Sequence, residues 1–136
     1  MTEDVMILAK TIYGEASAES ISGMEAIANV IINRLKKVHL GENTWWGNSV
    51  KGVCLKPFQF SCWDKNNPNN QALKQLDEDN PLFQICRRIA VRAIKGLLPD
   101  NTKGATCYHT LQTHPKWAHA LVPCAQIGNR LFYACL

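Results

Sequence analysis

The sequence predicts a mainly helical α+β fold with a small β element. Three observations carry that expectation: two stretches with apolar residues at three- and four-residue steps, a central aromatic-rich stretch without periodicity, and short extended segments confined to the C-terminal third. At 136 residues the chain is long enough for one core. Its 46% apolar and 19% charged content, with only six Pro and eight Gly, excludes a disordered, collagen-like or low-complexity protein. A net charge of +4 is too small for the dense basic patch of a nucleic-acid binder.

The first helix is expected over Asp4 to Tyr13, where Val5, Ile7, Leu8, Ala9 and Ile12 form an apolar run that Gly14 ends. Ser22 and Glu25 read as a capping box for a second helix, with Met24, Ile27, Ala28, Ile31, Ile32 and Leu35 on its apolar face. Glu25, Asn29 and Asn33 follow at i, i+4, i+8, a stripe that reads as a solvated face or the wall of a cleft.

From His39 to Asn70 periodicity vanishes. Trp45, Trp46, Phe58, Phe60 and Trp63 lie there between glycines and prolines, a long loop that reads as a binding wall or as aromatic pins into the core. A short helix is expected over Asn70 to Leu76, and Asn80-Pro81 opens a longer one with Leu82, Phe83, Ile85, Cys86, Ile89, Ala90, Ala93, Ile94 and Leu97 buried and Gly96 near its stop. Ala105 to His109 and Ile127 to Ala134 read as short strands.

No repeat or linker divides the chain, so a single domain over 1–136 is expected. Its apolar stretches fall short of the roughly 18 to 20 residues of a membrane span. Met1 to Met6 carries two acids and no basic region, unlike a secretory signal. Six cysteines without a C-x-x-C pair leave disulfides open, with Cys54 and Cys62 spaced to close a short loop.

Most acids sit among other polar residues, but Glu15 follows an apolar helix at a Tyr-Gly step. A carboxyl there can be partly desolvated yet open to a cleft, as a general acid requires. A helix-terminal surface glutamate is the plain alternative.

Tyr13-Gly14-Glu15-Ala16, then Gly23 to Arg34 (GMEAIANVIINR), then Phe58-Gln59-Phe60-Ser61-Cys62-Trp63, then Gly104-Ala105-Thr106 before Tyr108-His109, then Trp117-Ala118, and finally Ile127-Gly128 before Phe132-Tyr133 form an ordered set. This set resembles the SleB-type cell wall hydrolases, the family of the spore-cortex-lytic catalytic domain. The Gln-Phe-Ser-Cys-Trp form resembles the branch found in phage and prophage endolysins. The resemblance covers Ile7 to Tyr133.

What the resemblance implies is a lysozyme-like fold and cleavage of the peptidoglycan glycan strand between N-acetylmuramic acid and N-acetylglucosamine, with Glu15 on the catalytic glutamate. Hydrolysis would call for a second carboxylate, and Glu19, Glu25 and Asp64 are the candidates. A lytic transglycosylase needs one, because the muramoyl C6 hydroxyl attacks C1 and leaves a 1,6-anhydro end; this is the favoured reading. Gln59, Phe60, Ser61, Trp63, Tyr108, His109 and Asn33 are the expected substrate-binding residues.

Cys107 and Arg130 stand where relatives often have histidine, so roles of those histidines do not carry over. His109, His114 and His119 are spaced by five, which does not gather three ligands on one face. No metal and no cofactor are expected. The expected partner is the glycan strand, with no nucleic acid, no stable membrane association, no separate wall-binding domain and a monomeric state. The expected setting is synthesis in the cytoplasm without a signal peptide and action on the wall after release, as in phage lysis. A non-catalytic glycan-binding module and a cysteine amidase built on Cys107 and His109 are the competing classes.

Overall fold

A computed structural model of the chain describes residues 2–41, 45–56 and 59–135. Pro57 and Phe58, part of the expected aromatic wall, lie outside the described residues. Helix α1 spans Glu3–Ala16, with the Thr2 hydroxyl accepting from the Val5 amide at its start and Glu3 and Asp4 in the first turn, where the helix dipole favours acids. It runs through Gly14 instead of ending there. A Cβ on Gly14 would lie 2.6 Å from the Cβ of Cys62, so the glycine marks a close approach between two segments and not a helix stop.

Helix α2 spans Ile21–His39 and is capped by Ser20, whose hydroxyl accepts from the Gly23 amide at 3.2 Å. The expected Ser22–Glu25 box is therefore displaced: Ser20 has the extended backbone that a cap requires, and Glu25 pairs instead with Arg92 at 3.2 Å. The central stretch is less irregular than expected. It contains helix α3, Val50–Leu55, capped by Ser49, and a 3-10 turn at Ser61–Trp63. Helix α4, Pro68–Lys74, starts on an Asn67-Pro68 pair two residues earlier than expected, and α5, Pro81–Ile94, on the expected Asn80-Pro81.

Strands β1 (Cys107–Thr110), β2 (Ala125–Ile127) and β3 (Arg130–Tyr133) form an antiparallel sheet in the order β1-β3-β2. The single strand expected over Ile127 to Ala134 is thus a hairpin, turned at Gly128-Asn129 with Gly128 at φ +56°.

The main core lies among α1, α2, α3 and α5, with Leu8, Ile12, Ile27, Ile31, Phe83 and Ile89 essentially inaccessible. A second cluster, Ala26, Val30, Ala105 and Phe132, seats the sheet on α2. All six cysteines are free thiols; Cys54, Cys62 and Cys86 fill the core, so the short Cys54–Cys62 loop is not closed by a disulfide. Burial pushes the Cys54 and Cys86 thiols up to about 12, which keeps them uncharged.

The Asn29–Asn33 stripe is buried. Asn29 donates to the Pro99 carbonyl at 3.0 Å and to Asn101 at 3.1 Å; Asn33 donates to Asp100 at 3.0 Å and to the Ala105 carbonyl at 3.0 Å. Helix α2 is therefore covered on a third side, by the loop that leads into β1. Burial pushes the Asp100 carboxyl up, but hydrogen bonds from Thr102, Asn33 and Gly104 outweigh it and hold the group below its ordinary value. The stability this carboxylate contributes is present above its unfolded pKa and is lost as pH falls through the lower folded one. Asn33→Leu, which leaves the Ala105 carbonyl and Asp100 without that donor, is expected to lower the unfolding free energy by about 2 kcal/mol in urea titrations.

Candidate functional site

Glu15 occupies the last turn of α1 and is half-buried. Two donors from distant segments converge on its carboxyl. The Tyr108 hydroxyl, on β1, donates to Oε1 at 3.1 Å, and the Cys62 amide, in the 3-10 turn, donates to Oε2 at 3.3 Å. A carboxylate offers about four acceptor positions, so two remain for a proton or a substrate. Burial, and secondly the neighbouring Glu15 charge, push the Tyr108 phenol well above its ordinary value; it stays protonated and keeps donating.

Each donor is held by packing that the sequence specifies. The Trp63 indole donates to the Thr11 hydroxyl at 2.9 Å, tying the turn that carries Cys62 to α1, and the missing side chain at Gly14 lets that turn sit against the helix. Asn70 donates to the Cys62 carbonyl at 3.3 Å. Tyr108 pairs with Phe132 across β1 and β3, their rings 5.6 Å apart, and Phe132 is fixed against Ala26 and Val30 of α2.

Glu15, Gln59, Ser61 and Tyr108 line one groove of about 350 Å³, together with Arg34, Cys107 and Trp117. The groove opens into a larger apolar hollow of about 760 Å³ that adds Trp45, Trp46 and Leu121 to the shared Arg34, Gln59, Cys107 and Trp117. Four of the residues expected at a site are therefore brought together around Glu15, counting Glu15 itself.

Four are not. Phe60 is 2% exposed and packs under the Arg34 guanidinium at 5.4 Å, which makes it a core residue. Trp63 anchors its turn to Thr11. Asn33 is buried in the loop contacts described above and does not reach the groove. His109 has both ring nitrogens engaged, Nδ1 with the Thr110 carbonyl at 2.7 Å and Nε2 with the Tyr133 hydroxyl at 2.8 Å, and its ring stacks on Tyr133. With both nitrogens so placed it is not a base for Cys107. It lies edge-on to Trp117 at 5.7 Å and so helps set a groove wall.

Arg34 and Trp117 are groove residues absent from the expected set. The Arg34 Nε donates to the Thr106 carbonyl at 2.7 Å, its Nη1 to Gln59 at 3.4 Å, and the guanidinium lies 5.5 Å from the Trp46 ring. Burial lowers its pKa. An arginine closing an otherwise apolar helix face was the available signal.

Of the three candidate second acids, none lines the groove. Glu19 lies 3.7 Å from Arg130, Glu25 is tied to Arg92, and Asp64 is exposed beyond the turn. Glu15 is the one carboxyl among the described residues lining the groove. Among the described residues there is no group of three or more His, Cys, Asp or Glu side chains placed to hold a metal. No described helix is long and apolar enough to cross a membrane.

The family model described as "Cell Wall Hydrolase" matches residues 18–133. A spore cortex-lytic enzyme of Halalkalibacterium halodurans is 29% identical over 130 residues, which cover 95% of this chain and 34% of that protein. The spore cortex-lytic enzyme of Bacillus subtilis is 41% identical over 58 residues, 43% of this chain and 17% of that one. The chain thus spans about a third or less of the length of the curated relatives it matches. Among solved structures, the catalytic domain of the Bacillus cereus SleB protein matches with a TM-score of 0.73 at 25% identity, covering 96% of this chain and 88% of that one. The catalytic domain of the germination-specific lytic transglycosylase SleB from Bacillus anthracis shares the fold, with a TM-score of 0.73 at 24% identity over 98% of this chain and 96% of that one.

Proposed function

Because the chain belongs to the cell wall hydrolase family, we propose that it cleaves the glycan strand of peptidoglycan between N-acetylmuramic acid and N-acetylglucosamine as a lytic transglycosylase, with Glu15 as its acid and base. The observation that carries this reading is the solitary carboxyl: Glu15 is the single acid among the described groove residues, and two fixed donors orient it. The family match begins at residue 18, so the role of Glu15 rests on this geometry and on the Tyr13-Gly14-Glu15-Ala16 resemblance.

In the proposed reaction the protonated Glu15 gives its proton to the glycosidic oxygen as the C1–O bond breaks. The carboxylate then takes the proton of the muramoyl C6 hydroxyl, whose oxygen bonds to C1 and closes the 1,6-anhydro ring. The nucleophile belongs to the substrate, so holding the sugar in place replaces activation of a water by a second acid. Hydrogen bonds from Tyr108 and the Cys62 amide hold the carboxyl through both proton transfers. The exposed Trp117 offers its indole to sugar rings, and Gln59 and Ser61 offer polar groups for hydroxyl and N-acetyl contacts. The proposed setting, release onto the wall as in phage lysis, is supported by the Gln59 to Trp63 motif alone.

Digestion of purified sacculi, with mass spectrometry of the muropeptides before and after borohydride treatment, tests the reading. Anhydro ends that resist reduction are expected. Reducible ends would mean hydrolysis, and binding without soluble fragments would mean a non-catalytic module.

A further inference from the structure

At the opposite end of Glu15 from its carboxyl lies a buried cation that the proposed reaction does not use. The Arg130 side chain, on β3, is 12% exposed, and its Nη2 donates to the Glu15 backbone carbonyl. Its Nη1 lies 3.7 Å from Glu19 Oε1, while Nε and Nη1 find no hydrogen-bond acceptor among the described residues. The guanidinium lies 5.3 Å from the centre of the Tyr108 ring. Burying a cation is unfavourable, and here the contacts with the Glu15 carbonyl and the Glu19 carboxylate offset part of that cost.

Two of the Arg130 contacts bear on Glu15, one directly at its carbonyl and one through Tyr108. At the end of α1 the Glu19 amide turns back to the Ala16 carbonyl, so the Glu15 carbonyl takes its donor from Arg130. A cation at a helix C-terminus also complements the helix dipole. The turn before Arg130 passes close to its partner: a Cβ on Gly128 would lie 3.2 Å from Oε2, the terminal atom of the Glu19 side chain. Arg130 therefore ties the backbone of Glu15 to β3 and covers the ring of Tyr108, the residue that holds the Glu15 carboxyl from β1.

We propose that Arg130 is a positioning residue: with Glu19 as its anchor, it fixes the last turn of α1 against the sheet so that the Glu15 carboxyl keeps one orientation toward the groove. The proposal rests on the reading of Glu15 as the acid. Small displacements of a catalytic group are expensive, of the order of a hundredfold for about 1 Å. The loss should appear in kcat, since Arg130 does not line the groove.

The test is steady-state kinetics of Arg130→Met, Arg130→Lys and Glu19→Gln on soluble glycan strands, beside Glu15→Gln as the control. Arg130→Met is expected to lower kcat about 10- to 100-fold with KM within about twofold. Arg130→Lys, which keeps the charge and an N–H donor group but not the planar fork, should recover part of that loss, and Glu19→Gln should cost a few-fold in kcat. Arg130→Met at wild-type kcat overturns the proposal, as does a loss confined to KM. Should Arg130→Met not fold, unchanged kcat in both Arg130→Lys and Glu19→Gln overturns it equally. A fully active Glu15→Gln would remove the acid reading itself, whatever Arg130 shows.

Discussion

Glu15→Gln is expected to reduce glycan-strand cleavage by about 10²- to 10⁴-fold, the usual contribution of a positioned acid and base. Glutamine keeps the shape of the side chain and an oxygen that can accept from Tyr108 or the Cys62 amide, but it cannot give up or take a proton in the working pH range. The unfolding midpoint in urea should therefore stay near wild type while solubilisation of sacculi disappears. Because Glu19, Glu25 and Asp64 stand away from the groove, no other described carboxyl is placed to rescue the variant.

Gly14→Ala is expected to have the second large effect, and its sign separates two opposing terms. In a helix interior alanine is favoured over glycine by about 1 kcal/mol. Here the added methyl would fall 2.6 Å from Cys62 Cβ and 2.7 Å from its Sγ. Sγ could swing away about χ1, but Cβ is fixed to the backbone, so the 3-10 turn or α1 must move, and overpacking of this kind costs about 1 to 3 kcal/mol. The clash is expected to win, lowering unfolding free energy measured in urea. Activity should fall further than stability, because the turn that moves carries the amide bonded to Glu15 Oε2. In the Gly14→Ala background, Cys62→Gly removes both clashing atoms, so the two substitutions should be less damaging together than their separate losses imply.

Gly14 also shows where the sequence could and could not be read. As a lone glycine after an apolar run it read as a helix stop, since the Cys62 approach lies 48 positions away in the chain and leaves no local trace. The periodic parts were legible for the opposite reason. The apolar faces of α2 and α5 repeat at three- and four-residue steps, and Asn80-Pro81 supplies a cap whose side chain accepts from the Leu82 and Phe83 amides. Periodicity reports which face is apolar, not what covers the other one. That is why Asn29 and Asn33 read as a solvated face or a cleft wall although the 99–105 loop hydrogen-bonds to both.

The site was legible in its residue types and less so in its partition. Glu15, Gln59, Ser61 and Tyr108 line one groove, whereas Phe60, Trp63, Asn33 and His109 sit behind it and shape the elements that form it. Alternation along a short irregular stretch cannot separate an aromatic face turned to the groove from one turned to the core. Arg34 escaped because it bonds to a backbone carbonyl far away in sequence, that of Thr106, and Arg130 stood out only as a replacement for histidine, since its bond to the Glu15 carbonyl leaves no trace in the sequence.

The central claim is that one carboxyl suffices because the attacking hydroxyl comes from the substrate. Digestion of sacculi in water enriched in oxygen-18, followed by mass spectrometry of the released muropeptides, examines that directly. The expected result is muramoyl ends lighter by one water and free of the heavy isotope; one oxygen-18 atom at each new reducing end would contradict it.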